Sequence, residues 1–196
     1  MTIHTFIDAL RELLIILPAI FLTITLHEYF LGFTAFKLGD ITPQASGSVK
    51  FNPLLFIDNL GLINFILFHY GWSKTTAFDP RNFKRPFLFS VLSILAGMFS
   101  NFIAAFFFIL LIILYKPNPL GYIYNLFMTI VQFNLNYFLL NLLPLLPLDG
   151  GKIISFLYPE YNKFEIVGII LLMLFFLLNL TRFFDLIVYN IINLFI

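Results

Sequence analysis

Residues 87–115 read FLFSVLSILAGMFSNFIAAFFFILLIILY, twenty-nine positions without one charged side chain. A helix of about 20 such residues already spans a hydrocarbon core of roughly 30 Å. Further apolar segments fall at 13–36, 54–70, 120–148 and 164–180, and a short amphipathic tail runs from 186 to 196. With 61% hydrophobic and 11% charged residues and a mean hydropathy of +0.98, the chain lies far from soluble composition. The expectation is an all-α polytopic membrane protein in which 1–196 forms a single membrane domain. The N-terminal MTIHTFIDALRE lacks a basic start and a small-residue cleavage site, so the first apolar segment is expected to be retained.

The segment 54-LLFIDNLGLINFILFHY-70 departs from its neighbours because Asp58, Asn59, Gly61, Asn64 and His69 interrupt it. Polar groups at this density are costly against lipid, and a re-entrant segment buried against protein accommodates them. Charge counting agrees. If 54–70 spans, Lys and Arg divide seven to four between the two sides; if it is re-entrant, they divide eight to three. The positive-inside rule favours the second arrangement, with the N-terminus outside and 37–86 in the cytoplasm of a cell with this protein in its plasma or inner membrane.

In 87–115, Ser90, Ser93, Gly97, Ser100, Asn101 and Ala104 fall on one strip, a surface suited to close helix approach. In 120–148, Asn134, Tyr137 and Asn141 share one face while Gln132 and Asn136 take the opposite one. Net charge is +1, no basic face is clustered, and nucleic acid is not expected as a partner. The absence of cysteine excludes thiolate ligands and disulfides.

Two constellations carry chemistry. In 27-HEYFL-31, His27 and Glu28 begin an H-E-x-x-H pattern, which binds zinc because histidines one turn apart project from one face while the glutamate activates a metal-bound water. Leu31 occupies the place of the second histidine. Alternatively, His27 and Glu28 are a mutually hydrogen-bonded pair in a bundle interior. The second constellation is 141-NLLPLLPLDGGK-152, where Pro144 and Pro147 break the helix just before Asp149. Asp-Gly-Gly is also ordinary turn chemistry.

Taken together and in order, HEYFLGFTAFKLGD, FNPLLFIDNLG, GWSKTTAFDPRN, AGMFSN and NLLPLLPLDGG resemble the site-2 protease family of intramembrane zinc metalloproteases, over roughly residues 15–155. The resemblance implies a helical core in which the His27 helix and the helix leading to Asp149 run parallel. It implies His27 and Asp149 as zinc ligands, Glu28 as general base and Asn101 as a group that holds or polarises the scissile carbonyl. Asn141, Pro144 and Pro147 would line a groove for membrane-spanning substrates, Gly39-Asp40 closes the first motif, and Val49 to Asn52 is a candidate for short cytoplasmic strands. The chain departs from the family pattern at Leu31, at Leu146 and Met98 (each in place of a proline), at Thr75 to Phe78 and at Phe56. His69 is the other histidine expected on the cytoplasmic side and thus a candidate substitute ligand.

Three functions follow: an intramembrane metalloprotease acting on single-span or helical membrane proteins, a pseudoprotease of the same fold that binds membrane segments without cutting them, and a small transporter. The last rests on intramembrane polar residues alone and leaves the ordered motifs unexplained.

Overall fold

A computed structural model describes the backbone of residues 3–196 and the side chains from residue 10 onward. The described residues form α1 (Ile3–Lys37), α2 (Thr42–Ala45), α3 (Asn59–Phe68), α4 (Pro86–Tyr115), α5 (Tyr122–Asn141), α6 (Asp149–Leu157), α7 (Glu165–Leu177) and α8 (Arg182–Asn193). Leu10–Lys37 of α1 and all of α4 are long and apolar enough to cross a membrane. A third crossing results if Pro159–Leu177 and Arg182–Asn193, bent by 68°, act as one span. These helices mark a membrane protein. On α4, Ile103, Phe107, Leu110 and Leu114 face outward, as lipid contact requires. Helix α5 is 20 residues long, but its amides, including Asn125, Gln132 and Asn134, set it apart from the two apolar helices.

The ends of α1 and α4 follow from local chemistry. Gly39, at φ 114°, terminates α1 in a left-handed turn in which Asp40 N–H reaches back to the Ala35 carbonyl. Pro18 inside α1 cannot bond the Leu14 carbonyl, and the Tyr122 hydroxyl donates to that carbonyl instead. Helix α4 begins at Pro86, where a missing N–H costs nothing.

Three helices make the centre. Contacts pair Leu14 with Tyr122, Thr23 with Asn134 and His27 with Tyr137, rising together along both helices, so α1 and α5 run parallel. Asn101 meets Thr23 while Gly97 meets Leu31, so α4 is antiparallel to α1. The small-residue strip is the α4 face at this junction. A Cβ on Gly97 would stand 2.8 Å from the His27 carbonyl oxygen and 3.2 Å from Leu31 Cβ, so only glycine allows this approach.

Residues 38–85 leave and rejoin the same end of this unit. Helix α3 is ten residues long, about 15 Å, too short to cross. Its Phe65 packs against Phe133 and Tyr137, and the chain then returns so that Ser73 and Thr76 reach Glu28.

Two expectations are corrected. No strand forms among the described residues. At Val49 to Asn52 the backbone is turn and irregular, because Gly47 turns at φ 79°, Pro53 offers no ladder donor and the Asn52 side chain caps Leu54 N–H. The helix read over 120–148 ends at Asn141, with a turn through Pro144 and the cis Leu146–Pro147 peptide before α6.

Candidate functional site

His27, Glu28, Leu31, Asn101 and Asp149 are all buried, each no more than 1% exposed. Asp149 reaches the interior because α6 starts there. Asn141, the last residue of α5, accepts the Asp149 N–H at 3.2 Å and donates to the Tyr137 carbonyl, stapling one helix end to the next helix start. Gly150 and Gly151 allow the turn, since a Cβ on either would fall within 2.4 Å of the backbone at 143–145.

The hydrogen bonds around His27 fix its ring. Asn134 Nδ2 donates to the Ile130 carbonyl and Thr23 Oγ1, which leaves Asn134 Oδ1 as acceptor for Asn101 Nδ2. Asn101 Nδ2 also donates to the Thr23 carbonyl, which can only accept, so Asn101 Oδ1 must face His27 Nδ1 at 3.0 Å. Nδ1 therefore carries a proton, and Nε2 is the nitrogen turned toward Asp149 Oδ2, at 2.8 Å. Both ends of the Asn101 amide are engaged within the protein. Asn101 stands as an orienter of His27.

Asp149 has a second partner. Its Oδ1 accepts from Lys152 Nζ at 2.7 Å, and the lysine is 18% exposed. Oδ2 receives no well-aligned hydrogen bond and lies against His27 Nε2, an ion pair when the ring carries protons on both nitrogens. Burial disfavours the Asp149 carboxylate, but the Lys152 ammonium and the His27 ring outweigh it and hold the group well below the usual carboxylate range.

Glu28 is tied to the returning chain. Its Oε1 accepts from Ser73 Oγ at 2.5 Å and its Oε2 from Thr76 N–H at 2.6 Å. Tyr137 OH accepts from Ser73 N–H and lies 2.6 Å from Ser73 Oγ, so the donors run Tyr137 to Ser73 to Glu28. His27 and Glu28 thus have different partners, and the mutual pair considered from sequence is not formed.

The third ligand position is apolar. Leu31 is fully buried with Ile94 and Met98, flanked by Phe78 and Phe138. A point one Cβ out from Gly97 lies 3.3 Å from His27 Nε2 and 3.2 Å from Leu31 Cβ, so the leucine borders the nitrogen that would face a metal. Among the described residues no three His, Cys, Asp or Glu side chains group to hold a metal ion. His69 caps α3 with its ring against Phe133 and does not join His27 and Asp149. The residues present do not fit a three-ligand zinc site. Pro144 carries the carbonyl that accepts Tyr161 OH, and Pro147 follows the cis peptide, both in the turn before Asp149.

Sequence reasoning passed over Ser73, Thr76 and Lys152. Ser73 and Thr76 lie in a loop without periodicity, within the GWSKTTAFDPRN segment; Lys152 follows Asp149 by three residues, the spacing of an ion pair on one helix face.

No family model and no solved structure matches the chain. The chain is 36% identical over 142 residues to a Bacillus subtilis (strain 168) protein named "Putative zinc metalloprotease YwhC". The match covers 69% of this chain and spans 65% of the length of that relative. This similarity supports a zinc metalloprotease family for the chain.

Proposed function

We propose that this chain is a site-2-protease-like membrane protein that holds membrane-spanning segments of other proteins without cutting them. The observation that carries this reading is the closed ion-pair row of His27, Asp149 and Lys152 beside buried Leu31. In a zinc site the metal balances the ligand carboxylate and activates water. Here an ammonium three residues away balances it, an apolar side chain fills the third ligand direction, and Glu28 is bound by Ser73 and Thr76. The segment from Gly71 to Asp79, irregular yet pinned to Glu28, together with the turn at Pro144 and Pro147, forms the expected seat for an unwound substrate segment.

The name of the relative favours a second reading, an active intramembrane metalloprotease. Zinc analysis of the purified full chain, combined with photo-crosslinking from position 75 to a single-span test peptide in nanodiscs, separates the two. Crosslinking of intact peptide by metal-poor protein supports the binding role. Stoichiometric zinc that disappears in both His27→Ala and Asp149→Ala, together with peptide cleavage, overturns it.

A further inference from the structure

A long cleft of about 800 Å³ opens between α1, α5 and α8, apart from the site around His27. Asn125, Thr129 and Gln132 line it from α5, at spacings of four and three residues that put them on one helix face. Asp185 and Asn193, about two turns apart on α8, line the opposite wall.

The contacts of these helices give the cleft a direction. Glu12 lines it near the start of the crossing segment Leu10–Lys37, and marks its mouth. His69 marks the inner end, because its ring lies 6.0 Å from that of Phe133, whose neighbour Asn134 bonds Thr23, midway along the same segment. Glu12 and Thr23 are about 16 Å apart along α1. Helix α8 follows the same line. The Tyr70 hydroxyl holds Asp185 at 2.7 Å at the inner end, and Ile192 packs with Ile109 and Ile112 toward the end of α4 that lies beside the start of α1. The cleft thus reaches from one membrane face to the middle and stops there.

The lining decides what fills it. Gln132, His69 and Asp185 are exposed, and all three border the cleft at mid-depth. Amide and ionisable side chains at that depth, where protein does not cover them, face water rather than hydrocarbon. A lipid chain in the cleft would leave all three unsolvated.

We propose that the cleft is an aqueous vestibule, entered from the membrane face where α1 begins, that brings water and small hydrophilic solutes to His69 and Asp185 in the middle of the bilayer. The inference is independent of whether the chain cuts or holds other membrane proteins. Residues 70–73 then form a thin partition, in which Tyr70 bonds Asp185 on the vestibule side and Ser73 bonds Glu28 on the other.

The chain contains no cysteine, so single cysteines report on solvent directly. Thiols react as thiolates, which apolar surroundings suppress. The test is labelling of the full chain in sealed membrane vesicles by a charged, membrane-impermeant methanethiosulfonate added to one side at a time. Glu12→Cys marks the face where α1 begins, and Lys84→Cys, just before α4, marks the opposite face. Gln132→Cys lies two residues from Asn134, and Ile103→Cys, 66% exposed on the lipid side of α4, lies two residues from Asn101, so the two share a depth. Gln132→Cys is expected to react from the Glu12 side, at least about tenfold faster than Ile103→Cys. Adding Thr129→Trp, one turn nearer the mouth, should slow Gln132→Cys and leave Glu12→Cys unchanged. A Gln132→Cys rate as low as that of Ile103→Cys, labelling from the Lys84 side, or labelling indifferent to Thr129→Trp overturns the proposal. His69→Cys, also at an exposed position, gives the same reading should Gln132→Cys fail to fold, and continued protection of Ile103→Cys shows that the Thr129→Trp protein is folded.

Discussion

Lys152 and Asp149 lie one turn apart at the start of α6, and the Lys152 ammonium stands 2.7 Å from Asp149 Oδ1 in a site where the carboxylate is fully buried. Breaking a buried pair from one side leaves an uncompensated charge, which typically costs about 3–5 kcal/mol. Lys152→Met is therefore expected to destabilise the chain strongly, and Asp149→Asn to do so as well. The double variant Lys152→Met/Asp149→Asn should lose much less than the sum, because the charge and its partner go together. Thermal unfolding of all four proteins in one detergent reads the cycle. Additive losses would show that the two side chains do not interact.

Leu31→His would place an imidazole one helical turn from His27 on the same face of α1. A tetrahedral zinc with bonds of about 2.0–2.2 Å separates its ligand atoms by roughly 3.3 Å, so His27 Nε2 and Asp149 Oδ2, now 2.8 Å apart, must open by about half an ångström. Lys152 opposes this by holding Asp149 in place. The expected order of zinc affinity is wild type below Leu31→His, and Leu31→His below Leu31→His/Lys152→Ala. Competition with a chromogenic chelator measures it. A flat series would mean that the cavity has closed beyond the missing ligand.

Much of this site was legible in the sequence, for reasons tied to helical period. Thr23, His27 and Leu31 repeat at one face of a helix, as do Asn134, Tyr137 and Asn141, and the structure brings the two stripes together at Thr23–Asn134 and His27–Tyr137. The strip from Ser90 to Ala104 marked the face of α4 because small residues in a long apolar run have few other uses. The turn at Pro144 and Pro147 followed from missing backbone donors, although the apolar run around it hid where α5 stops. What could not be read was chemistry delivered by irregular backbone. Ser73 and Thr76 reach Glu28 through a loop, and no period announces a loop contact. The strand expected at Val49 to Asn52 failed for the same reason, since local turn and cap bonds outweigh β-propensity there.

Asn101 links three acceptors and donors at once, joining His27, Thr23 and Asn134. Asn101→Leu keeps the volume and removes the bonds, leaving His27 Nδ1–H and Asn134 Oδ1 without partners. A loss of about 1–3 kcal/mol is expected. Stability alone would not show that Asn101 orients the ring. Nitrogen-15 NMR of labelled histidine should show a protonated, hydrogen-bonded Nδ1 in the wild type and lose that signature in Asn101→Leu. An unchanged His27 spectrum would refute the orienting role.

Asp40 gives a pH dependence outside the membrane helices. Its Oδ1 accepts from Thr42 N–H, Thr42 Oγ1 and Asn82 Nδ2, and its Oδ2 accepts from Asp79 N–H at 2.7 Å, so one carboxylate joins the end of α1 to the loop before α4. Desolvation pushes the acid upward, but the hydrogen bonds from Thr42, Asn82 and Asp79 outweigh it and hold Asp40 below the ordinary carboxylate range. The folded state thus binds this proton less readily than the unfolded one. The stabilisation is complete above the ordinary range and is lost as pH falls through the lower folded value. Asp40→Asn must turn an amide N–H toward either the Asp79 N–H or the three donors on Oδ1, costing about 1–3 kcal/mol at neutral pH. Melting temperatures of the two proteins should therefore differ most at neutral pH and converge between about pH 5 and pH 2. A gap that stays constant across that window would show that Asp40 does not act through its charged form.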